Sequence, residues 1–339
     1  MHKIKINAND SIHKFMDKIQ KGLGGKITGQ DEEFVLQLDD EIGKGEIRIT
    51  ATNGGVSLIE YDLTFIKDIT LEINTQDLNP LYFFYCLKGE ISQRFKGDSK
   101  WHSIDDFQFA ILYSGPRPGM ELCFAKNEKI CLNVIKLNRE VFLNHRNYKN
   151  FIEEPLKDLF LNKHDESFSH FGTYNLKIAE NIKFFREINQ DGLIRKILVD
   201  GQIHFVLALQ IQQYLDDLEN KNPYSRITKK QLAKVQELSL FIRDNYAAPH
   251  RIKTLTSRSG LSPSKLQESF KLLYDRTVVD YIRNVRLIQA EELIKANDLS
   301  ISEIVYAVGF TSRSYFSKIF KNKYNFSPKE YQDKIREDL

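Results

Sequence analysis

Hydrophobic residues in the first half of the chain recur at every second position, in many short runs. Ile47 and Ile49 alternate with polar residues, the Asn-Gly-Gly run at 53–55 has hairpin-turn composition, and Val56 and Leu58 continue the alternation. Further runs of strand length follow at 69–73, 81–87, 91–95, 107–113, 122–124 and 130–137. Many short strands at close spacing over about 40–137 predict a barrel or a sandwich, and a barrel can hold a ligand in its mouth.

After Asn138 the apolar period changes to that of helices. The pattern predicts helices at 139–145, 152–161, 176–188 and 192–219. The last of these is apolar on more than one face, which suits either packing against the β-rich part or pairing with a second subunit. A polar stretch containing a proline then follows, and we interpret 221–227 as an interdomain linker.

From Thr228 to the end, the chain has only helical patterns. Thr228 can cap a helix that stops before Pro249, since proline cannot continue a helix. A short helix is predicted from Arg251 and ends at Gly260. Serine at 262 and proline at 263 open the next helix in the favoured order of cap and first residue.

The C-terminal third contains an internal repeat with a period of about 50 residues. At an offset of 50, the residues Ser262, Ser264, Leu266, Phe270, Lys271, Tyr274, Asp275, Thr277 and Tyr281 correspond to Ser312, Ser314, Phe316, Phe320, Lys321, Tyr324, Asn325, Ser327 and Tyr331. At an offset of 49, Leu255, Gly260 and Leu261 correspond to Ile304, Gly309 and Phe310. Two helix-turn-helix units are therefore predicted, at about 251–275 and 300–325. Between them, a helix with a predicted buried stripe of Val278, Tyr281, Ile282, Val285, Ile288, Leu293 and Ile294 fixes their separation, so that both can enter successive major-groove segments.

These motifs resemble the AraC/XylS family of bacterial transcription regulators over about 228–336. The most specific matches are Arg286-Leu287 with Ala290, Leu299-Ser300-Ile301, Val308-Gly309-Phe310, Ser314-Tyr315-Phe316, Phe320-Lys321 and Ser327-Pro328 with Tyr331. The resemblance implies two helix-turn-helix units on a linking helix and an N-terminal domain that senses a signal and dimerises. The expected fold class is α+β, with a β-barrel or cupin-like sensor and helical extension in 1–220, and an all-α DNA-binding domain in 228–336.

The chain departs from the family at three positions. Asp275 and Asn325 stand where glycine is common, and both types tolerate the left-handed conformation better than other non-glycine residues. Glu268 stands where a basic residue is frequent. A carboxylate repels phosphate but can accept from a cytosine amino group, so the first unit is expected to read differently or bind more weakly.

The resemblance assigns DNA contacts to the two recognition helices. Base-reading candidates are Ser264, Lys265, Gln267 and Glu268 in the first helix and Arg313, Ser314, Tyr315, Ser317 and Lys318 in the second; phosphate candidates are Lys271, Arg283 and Lys321. Arg313 suits guanine and Gln267 suits adenine. Each could instead be an ordinary solvated surface residue. Phe270, Phe310, Phe316 and Phe320 fit a core.

The charge distribution supports double-stranded DNA as partner. From residue 228 onward there are 20 Lys and Arg against 13 Asp and Glu, a net charge of +7, whereas the first 227 residues carry 29 against 33, a net of −4. Cys86, Cys123 and Cys131 are too few for a disulfide scaffold and suit small buried residues in a reducing compartment. No signal peptide or membrane-spanning run is apparent, so a cytoplasmic protein without membrane partner is expected.

Enzymatic chemistry lacks a sequence signature. No His-x-His motif occurs, and His145, His164, His170 and His204 are scattered through predicted helices or loops. No phosphate-binding glycine loop or nucleophile elbow is present, so no catalytic residue, metal or cofactor is expected. Two regulator types remain: one controlled by a small-molecule effector bound at 40–137, the other controlled by a protein partner or merely dimerised. Activation is the family's commoner mode, with RNA polymerase and a second copy of the chain as further expected partners.

Overall fold

The computed structural model describes residues 2–30, 32–39, 41–75, 80–115, 119–161, 166–219, 228–274, 276–296 and 299–337. The chain forms two compact units, Met1–Ser225 and Arg226–Leu339. The linker predicted at 221–227 lies outside the described residues, as do Asp275 and His164. Each unit is described separately below.

The first unit combines two β-sheets with five α-helices in its described part. Its strands are β1 His2–Asn7, β2 Lys26–Gln30, β3 Glu33–Gln37, β4 Gly43–Ala51, β5 Val56–Phe65, β6 Ile69–Asn74, β7 Leu81–Lys88, β8 Ile91–Phe95, β9 His102–Ile104, β10 Gln108–Tyr113, β11 Met120–Phe124, β12 Lys129–Leu137 and β13 Phe168–Tyr174. Its helices are α1 Ile12–Leu23, α2 Arg139–Asn144, α3 Glu154–Phe160, α4 Leu176–Glu187 and α5 Gly192–Leu218, with a 3₁₀ helix His145–Phe151 after α2.

The strands pair in the orders β1-β6-β11-β8-β9 and β13-β10-β7-β12-β5-β4-β3-β2. The β1–β6 pair is parallel, and the β4–β5 hairpin is antiparallel with Ala51 opposite Ser57. Gly54 and Gly55 have positive φ angles of 93° and 79°, which confirms the predicted Asn-Gly-Gly turn.

One hydrophobic core lies between the two sheets. Inward residues of the five-stranded sheet, such as Leu71 and Leu122, cluster with Ile47 and Tyr61 of the eight-stranded sheet. Alternation places these residues inside, because successive side chains of a strand point to opposite faces. The predicted α+β class is confirmed, with the described strands arranged as a two-sheet sandwich and not as one closed barrel.

Helix α5 docks on the eight-stranded sheet through an apolar stripe and several polar anchors. Its buried residues include Val199, Ile203, Val206, Leu207 and Tyr214. The Gln210 Nε2 donates to the Phe84 carbonyl at 3.2 Å, and Asp217 accepts from the Thr173 hydroxyl at 3.0 Å. Buried polar groups need such partners, so these bonds fix where the helix lies on the sheet.

Several elements of the first unit were not predicted from the sequence. No motif was assigned to the first 30 residues, yet β1, α1 and β2 lie there, and α1 buries Phe15, Met16, Ile19 and Leu23. Strand β13 was also missed, so placing His170 in a helix or loop was wrong. Strand β13 lacks a regular apolar alternation, and its pairing comes from distant residues. In contrast, β1 alternates lysine with isoleucine and α1 has apolar residues at helical spacing, so both were accessible from the sequence.

The cysteines follow the prediction in part. Cys86 is buried, whereas Cys123 and Cys131 are half-buried, and all three are free thiols. Burial raises the pKa of the Cys86 and Cys123 thiols. A raised pKa disfavours the reactive thiolate. The aromatic residues Phe83, Phe84, Tyr85, Phe107, Phe109 and Tyr113 are all buried, as core residues should be.

The second unit contains seven helices in its described part: α6 Lys229–Asp244, α7 Ile252–Ser259, α8 Pro263–Tyr274, α9 Val278–Ala296, α10 Ile301–Ala307, α11 Arg313–Tyr324 and α12 Pro328–Glu337. Thr228 and Gln231 form a capping box at the start of α6. Helix α7 ends at Gly260, whose φ is 63°, in the left-handed region that glycine adopts without strain.

The internal repeat is visible in the helix ends. Before α8, the Ser262 hydroxyl accepts from the Lys265 N–H at 3.3 Å; before α11, the Ser312 hydroxyl accepts from the Tyr315 N–H at 3.3 Å. Asn325 ends α11 with a φ of 64°, so asparagine takes the left-handed conformation that the sequence required of it. The second helices of the two units, α8 and α11, therefore start from the same local chemistry, 50 residues apart.

Helix α9 serves two hydrophobic cores in succession. Its first half buries Val278, Tyr281, Ile282 and Val285, and its second half buries Leu287, Ala290 and Ile294. The buried stripe shifts between Val285 and Leu287, so Ile288 is 41% exposed and its predicted burial was wrong. The second core joins α9 to Ile304, Val305, Phe316 and Phe320.

Candidate nucleic-acid interface

Helix α11 divides cleanly into a buried and an exposed face. Phe316 and Phe320 are fully buried, as predicted for core residues. The side chains of Arg313, Ser314, Tyr315, Lys318 and Lys321 are exposed, and Ser317 is half-buried. The helix therefore presents donors and little apolar bulk on the face that the sequence assigned to DNA, a surface suited to base edges and phosphates.

Arg313 is held lightly against helix α10. One of its terminal nitrogens, Nη1, donates to the Ser302 hydroxyl at 2.9 Å, and the guanidinium carbon lies 5.9 Å from the centre of the Tyr306 ring. A guanidinium has five N–H donors in a fixed fork, so one such bond leaves donors for a bidentate contact. The side chain is oriented before any ligand arrives.

Helix α8 presents a less basic face than α11. Ser264, Lys265, Glu268 and Lys271 are exposed, while Phe270 is buried, as predicted for a core residue. Between residues 263 and 274 there are two lysines and one glutamate, whereas residues 313–324 contain four lysine or arginine residues and no acid. Because phosphate attraction scales with local positive charge, α11 offers the stronger electrostatic contact.

Gln267 has a structural partner that the sequence did not reveal. Its Oε1 accepts from the backbone N–H of Val278 at 3.1 Å, at the first residue of α9. The bond satisfies an N–H that the helix itself leaves without a partner. Adenine recognition uses both the oxygen and the nitrogen of a glutamine amide, so the predicted adenine contact requires the bond to Val278 to break.

Arg283 connects the linking helix to the second recognition helix. Its Nη1 lies 2.8 Å from the Asp280 carboxylate, and its guanidinium carbon is 5.7 Å from the centre of the Tyr315 ring. The proposed phosphate contact would thus come from an arginine already placed beside α11. The assignments of the twelve DNA-contacting residues remain predictions.

Arg286 also has a structural role that the sequence alone does not indicate. Its Nε and Nη2 donate to the Tyr246 and Ala248 carbonyls at 2.8 and 2.9 Å, and its Nη1 donates to the Gly309 carbonyl at 2.8 Å. It therefore ties the segment after α6 to the turn of the second helix-turn-helix unit. In the sequence, Arg286 is marked only by its place in the Arg286-Leu287 match to the AraC/XylS family.

Gly309 completes this junction through its lack of a side chain. Its φ is +84°, and a Cβ atom there would lie 2.5 Å from the Ala247 carbonyl oxygen. Both the conformation and the close approach require glycine. The turn of the second unit thus packs directly on the backbone that Arg286 also holds.

The C-terminal helices match a known family of helix-turn-helix domains. A family model described as a helix-turn-helix domain matches residues 255–334, which include all twelve predicted DNA-contacting residues. The chain is 32% identical over 158 residues to an HTH-type transcriptional regulator in the cgkA 5′ region of Pseudoalteromonas carrageenovora, covering 47% of this chain and 92% of that relative.

The chain belongs to the AraC/XylS family of transcription regulators. It is also similar to the regulatory protein SoxS of Escherichia coli K12, with 28% identity over 101 residues, covering 30% of this chain and 94% of SoxS. The transcriptional activator RhaS of Salmonella arizonae is 30% identical over 98 residues, covering 29% of this chain and 35% of RhaS. Like other AraC/XylS regulators, the protein is a DNA-binding transcriptional regulator.

The part of this AraC/XylS member that the structure describes shows neither a candidate membrane span nor a candidate metal site. None of the helices in the described part combines the length and the apolar character that a membrane span requires. Among the residues that the structure describes, no three His, Cys, Asp or Glu side chains converge on a position that could hold a metal ion. His102 instead stacks on Phe171, with ring centres 5.0 Å apart.

Proposed function

We propose that this cytoplasmic regulator reads two successive major-groove segments with α8 and α11 and that its first unit controls the response. The observation that carries the proposal is the pair of serine-capped helices, 50 residues apart, on one linking helix. A stiff helix between two reading helices sets their separation, as recognition of successive grooves requires. The unequal charges of the two helices favour α11 as the stronger contact.

Arg313→Ala tests the proposed base contact. We expect DNA affinity to fall by about 1–3 kcal/mol, or about 5- to 150-fold, with relaxed preference at one base position. Lys321→Ala should weaken binding to all sequences alike and reduce the salt dependence, because a phosphate contact carries no base information. The measurement is a titration on a duplex selected from a random library by the unaltered protein, against a scrambled duplex.

The scrambled duplex is the control for this experiment. If Arg313→Ala lost the same factor on the selected and scrambled duplexes, the assignment of Arg313 to a base would be wrong. The salt series separates the two roles, since only a lost phosphate contact lowers the slope of affinity against salt concentration.

Pairing with a second copy is supported by an exposed apolar row on α5. Ile194, Leu198 and Phe205 are exposed and fall, with Gly201 and Ala208, at spacings of four and three residues in turn. We call these five residues the α5 seam. Such spacing keeps one helix face towards a partner helix, as in coiled coils. The opposite face of α5 is already docked on the sheet, so one helix can serve both functions considered for it from the sequence.

Leu198→Glu is the test of pairing. Sedimentation of the full chain should show the unaltered protein as a dimer and Leu198→Glu as a monomer at the same concentration, because a buried unpaired carboxylate opposes association. Leu240→Glu on α6 is the matched control, since Leu240 is 44% exposed and Leu198 43%. A monomeric unaltered protein, or equal behaviour of the two variants, would count against the α5 seam.

Activation of transcription, with RNA polymerase as partner, is proposed because the similar protein RhaS is a transcriptional activator. Effector control is proposed because the first unit contains a cleft of ligand size, described below. The second candidate is a constitutive or partner-controlled regulator whose first unit only dimerises, which the exposed α5 seam equally supports. Ligand binding to the full chain distinguishes the two. No enzymatic activity is proposed.

A further inference from the structure

A cleft of ligand size in the described part of the first unit lies outside the sandwich, and we call it the α5 cleft. It is bounded by the outer face of β3–β5 and by residues 185–200, and its volume is about 1160 Å³. A cavity between the two sheets measures only about 40 Å³, room for a few water molecules. Ligand sites usually measure about 300–1,000 Å³, so the α5 cleft has room for a small organic molecule, whereas this cavity does not.

One wall of the α5 cleft is apolar. Phe185 and Ile188 from the end of α4, together with Leu193 and Ile197 from the start of α5, line this side. Leu193 is 72% exposed and Ile197 is 61% exposed. An apolar wall of this kind offers burial to the hydrocarbon part of a ligand.

The opposite wall consists of carboxylates on neighbouring strands. Glu46 on β4 stands directly opposite Asp62 on β5 in the antiparallel register, and Glu60 follows at the next outward position of β5. Like charges placed directly opposite each other across a strand pair are destabilising. Arg48 lies 3.1 Å from Glu46 and Lys129 contacts Asp62, so the repulsion is partly compensated.

The charges that line the cleft leave a negative excess. Seven Asp and Glu residues line it against three Arg and Lys residues. Two of those cations are committed to Glu33: Arg195 Nη2 lies 2.7 Å and Arg48 Nη1 lies 2.6 Å from its Oε1. Burial raises the pKa of Glu33, but the hydrogen bonds from Arg195 and Arg48 outweigh burial and hold the pKa below its ordinary value. Glu33 therefore stays ionised and holds Arg195, while Arg48 is shared between Glu33 and Glu46.

We propose that the α5 cleft is the effector site and that it takes an organic cation with an aromatic or alkyl body. The ammonium group lies between Glu46 and Asp62, and the apolar body lies against Phe185 and Ile197. Ile197 directly precedes Leu198 of the α5 seam, so a ligand in the cleft contacts the same segment of the helix that pairs the subunits. This inference rests on the proposed control of DNA binding by the first unit.

Calorimetric titration of the full chain with aryl cations tests the ligand class. The probes are 2-phenylethylamine, benzyltrimethylammonium and 4-aminobenzamidine, with 2-phenylethanol as the uncharged and 3-phenylpropionate as the anionic counterpart. We expect at least one cation to bind at least tenfold more tightly than 2-phenylethanol, and 3-phenylpropionate not to bind. Failure of all three cations, or equal binding of the alcohol, would overturn the proposal.

Two substitutions test whether the cation binds in the α5 cleft. Glu46→Gln should weaken binding at least tenfold, because it removes a carboxylate while keeping shape and hydrogen-bonding capacity. Glu128→Gln is the control, since Glu128 is an exposed acid in the turn between β11 and β12, and it should leave binding unchanged. Unaltered binding by Glu46→Gln would overturn the assignment.

DNA titrations with and without the bound cation then test effector control independently of the proposed recognition of DNA by α8 and α11. A change in affinity for the selected duplex that disappears in Glu46→Gln supports effector control. Cation binding with no change in DNA affinity or in oligomeric state overturns the role of the cleft as effector site. Failure of DNA reading itself appears independently, as loss of the difference between selected and scrambled duplexes.

Discussion

Phe320→Ala should destabilise the second helix-turn-helix unit by about 3–5 kcal/mol, the usual cost of deleting a buried phenylalanine side chain. Phe320 is fully buried, and its ring centre lies 4.5 Å from that of Tyr324, 5.5 Å from Phe316 and 5.6 Å from Tyr331. Since the free energy of unfolding of a domain is only about 5–15 kcal/mol, this loss removes a large part of it. Hydrogen exchange of the full chain should show faster exchange in α10–α12.

The internal repeat supplies the matched comparison for this variant. Phe270 occupies the corresponding position 50 residues earlier, is fully buried, and lies 5.3 Å from the rings of Tyr274 and Tyr281. Phe270→Ala should accelerate exchange in α7 and α8 by a similar mechanism. DNA affinity should fall further in Phe320→Ala than in Phe270→Ala, because α11 carries the greater positive charge.

Phe151→Ala is the surface control, since Phe151 is 78% exposed and its loss should change stability by less than about 0.5 kcal/mol. The unequal contribution of the two reading helices would be refuted by a larger loss of DNA affinity in Phe270→Ala. Uniformly faster exchange across α6–α12 in both variants would show that the second unit unfolds as one piece.

Features with a local chemical cause were predicted correctly from the sequence. The turn at 53–55, the cap at Thr228, the glycine end of α7 and the cap at Ser262 each depend on residues within a few positions of one another. Turn and cap chemistry acts over that range, so one sequence is sufficient. The repeat was also accessible, because its two copies can be compared directly.

Features that depend on distant partners were not predictable in the same way. Strand β13 has no regular apolar alternation and is a strand because it pairs with β10. Ile288 had the right spacing for burial, but α9 turns its buried stripe towards a second core after Val285. Periodicity carries no information about which neighbour is packed on a face.

The candidate interface shows the same division. Helical spacing correctly separated the exposed Arg313 and Lys318 from the buried Phe316, because three and four residues define one helix face. The partners of Gln267 and Arg286 lie 11 to 40 residues away in the chain, and no local pattern indicates them. The α5 cleft combines strands β3–β5 with residues 185–200, which are far apart in the chain. The sequence pattern therefore did not indicate that the carboxylates of these segments line one cleft.

Arg286→Ala should destabilise the second unit by about 2–4 kcal/mol, because three charge-assisted hydrogen bonds to backbone carbonyls are lost together. The bonds join Tyr246 and Ala248, which follow α6, to Gly309 in the turn before α11. Their loss frees the second recognition helix to change its orientation relative to the first. Urea unfolding should report the lost stability, and the preference for the selected duplex should fall beyond what that stability loss explains.

Arg286→Lys separates the charge from the geometry of this junction. A lysine keeps the positive charge but presents one ammonium group, which cannot reproduce a planar fork aimed at three carbonyls. We therefore expect the Arg286→Lys variant to retain only part of the stability and little of the preference for the selected duplex. Full retention of both by Arg286→Lys would mean that charge alone matters at this position of α9. A stability change below about 0.5 kcal/mol in Arg286→Ala would mean that water replaces the arginine and that packing of Gly309 on Ala247 alone aligns the two reading helices.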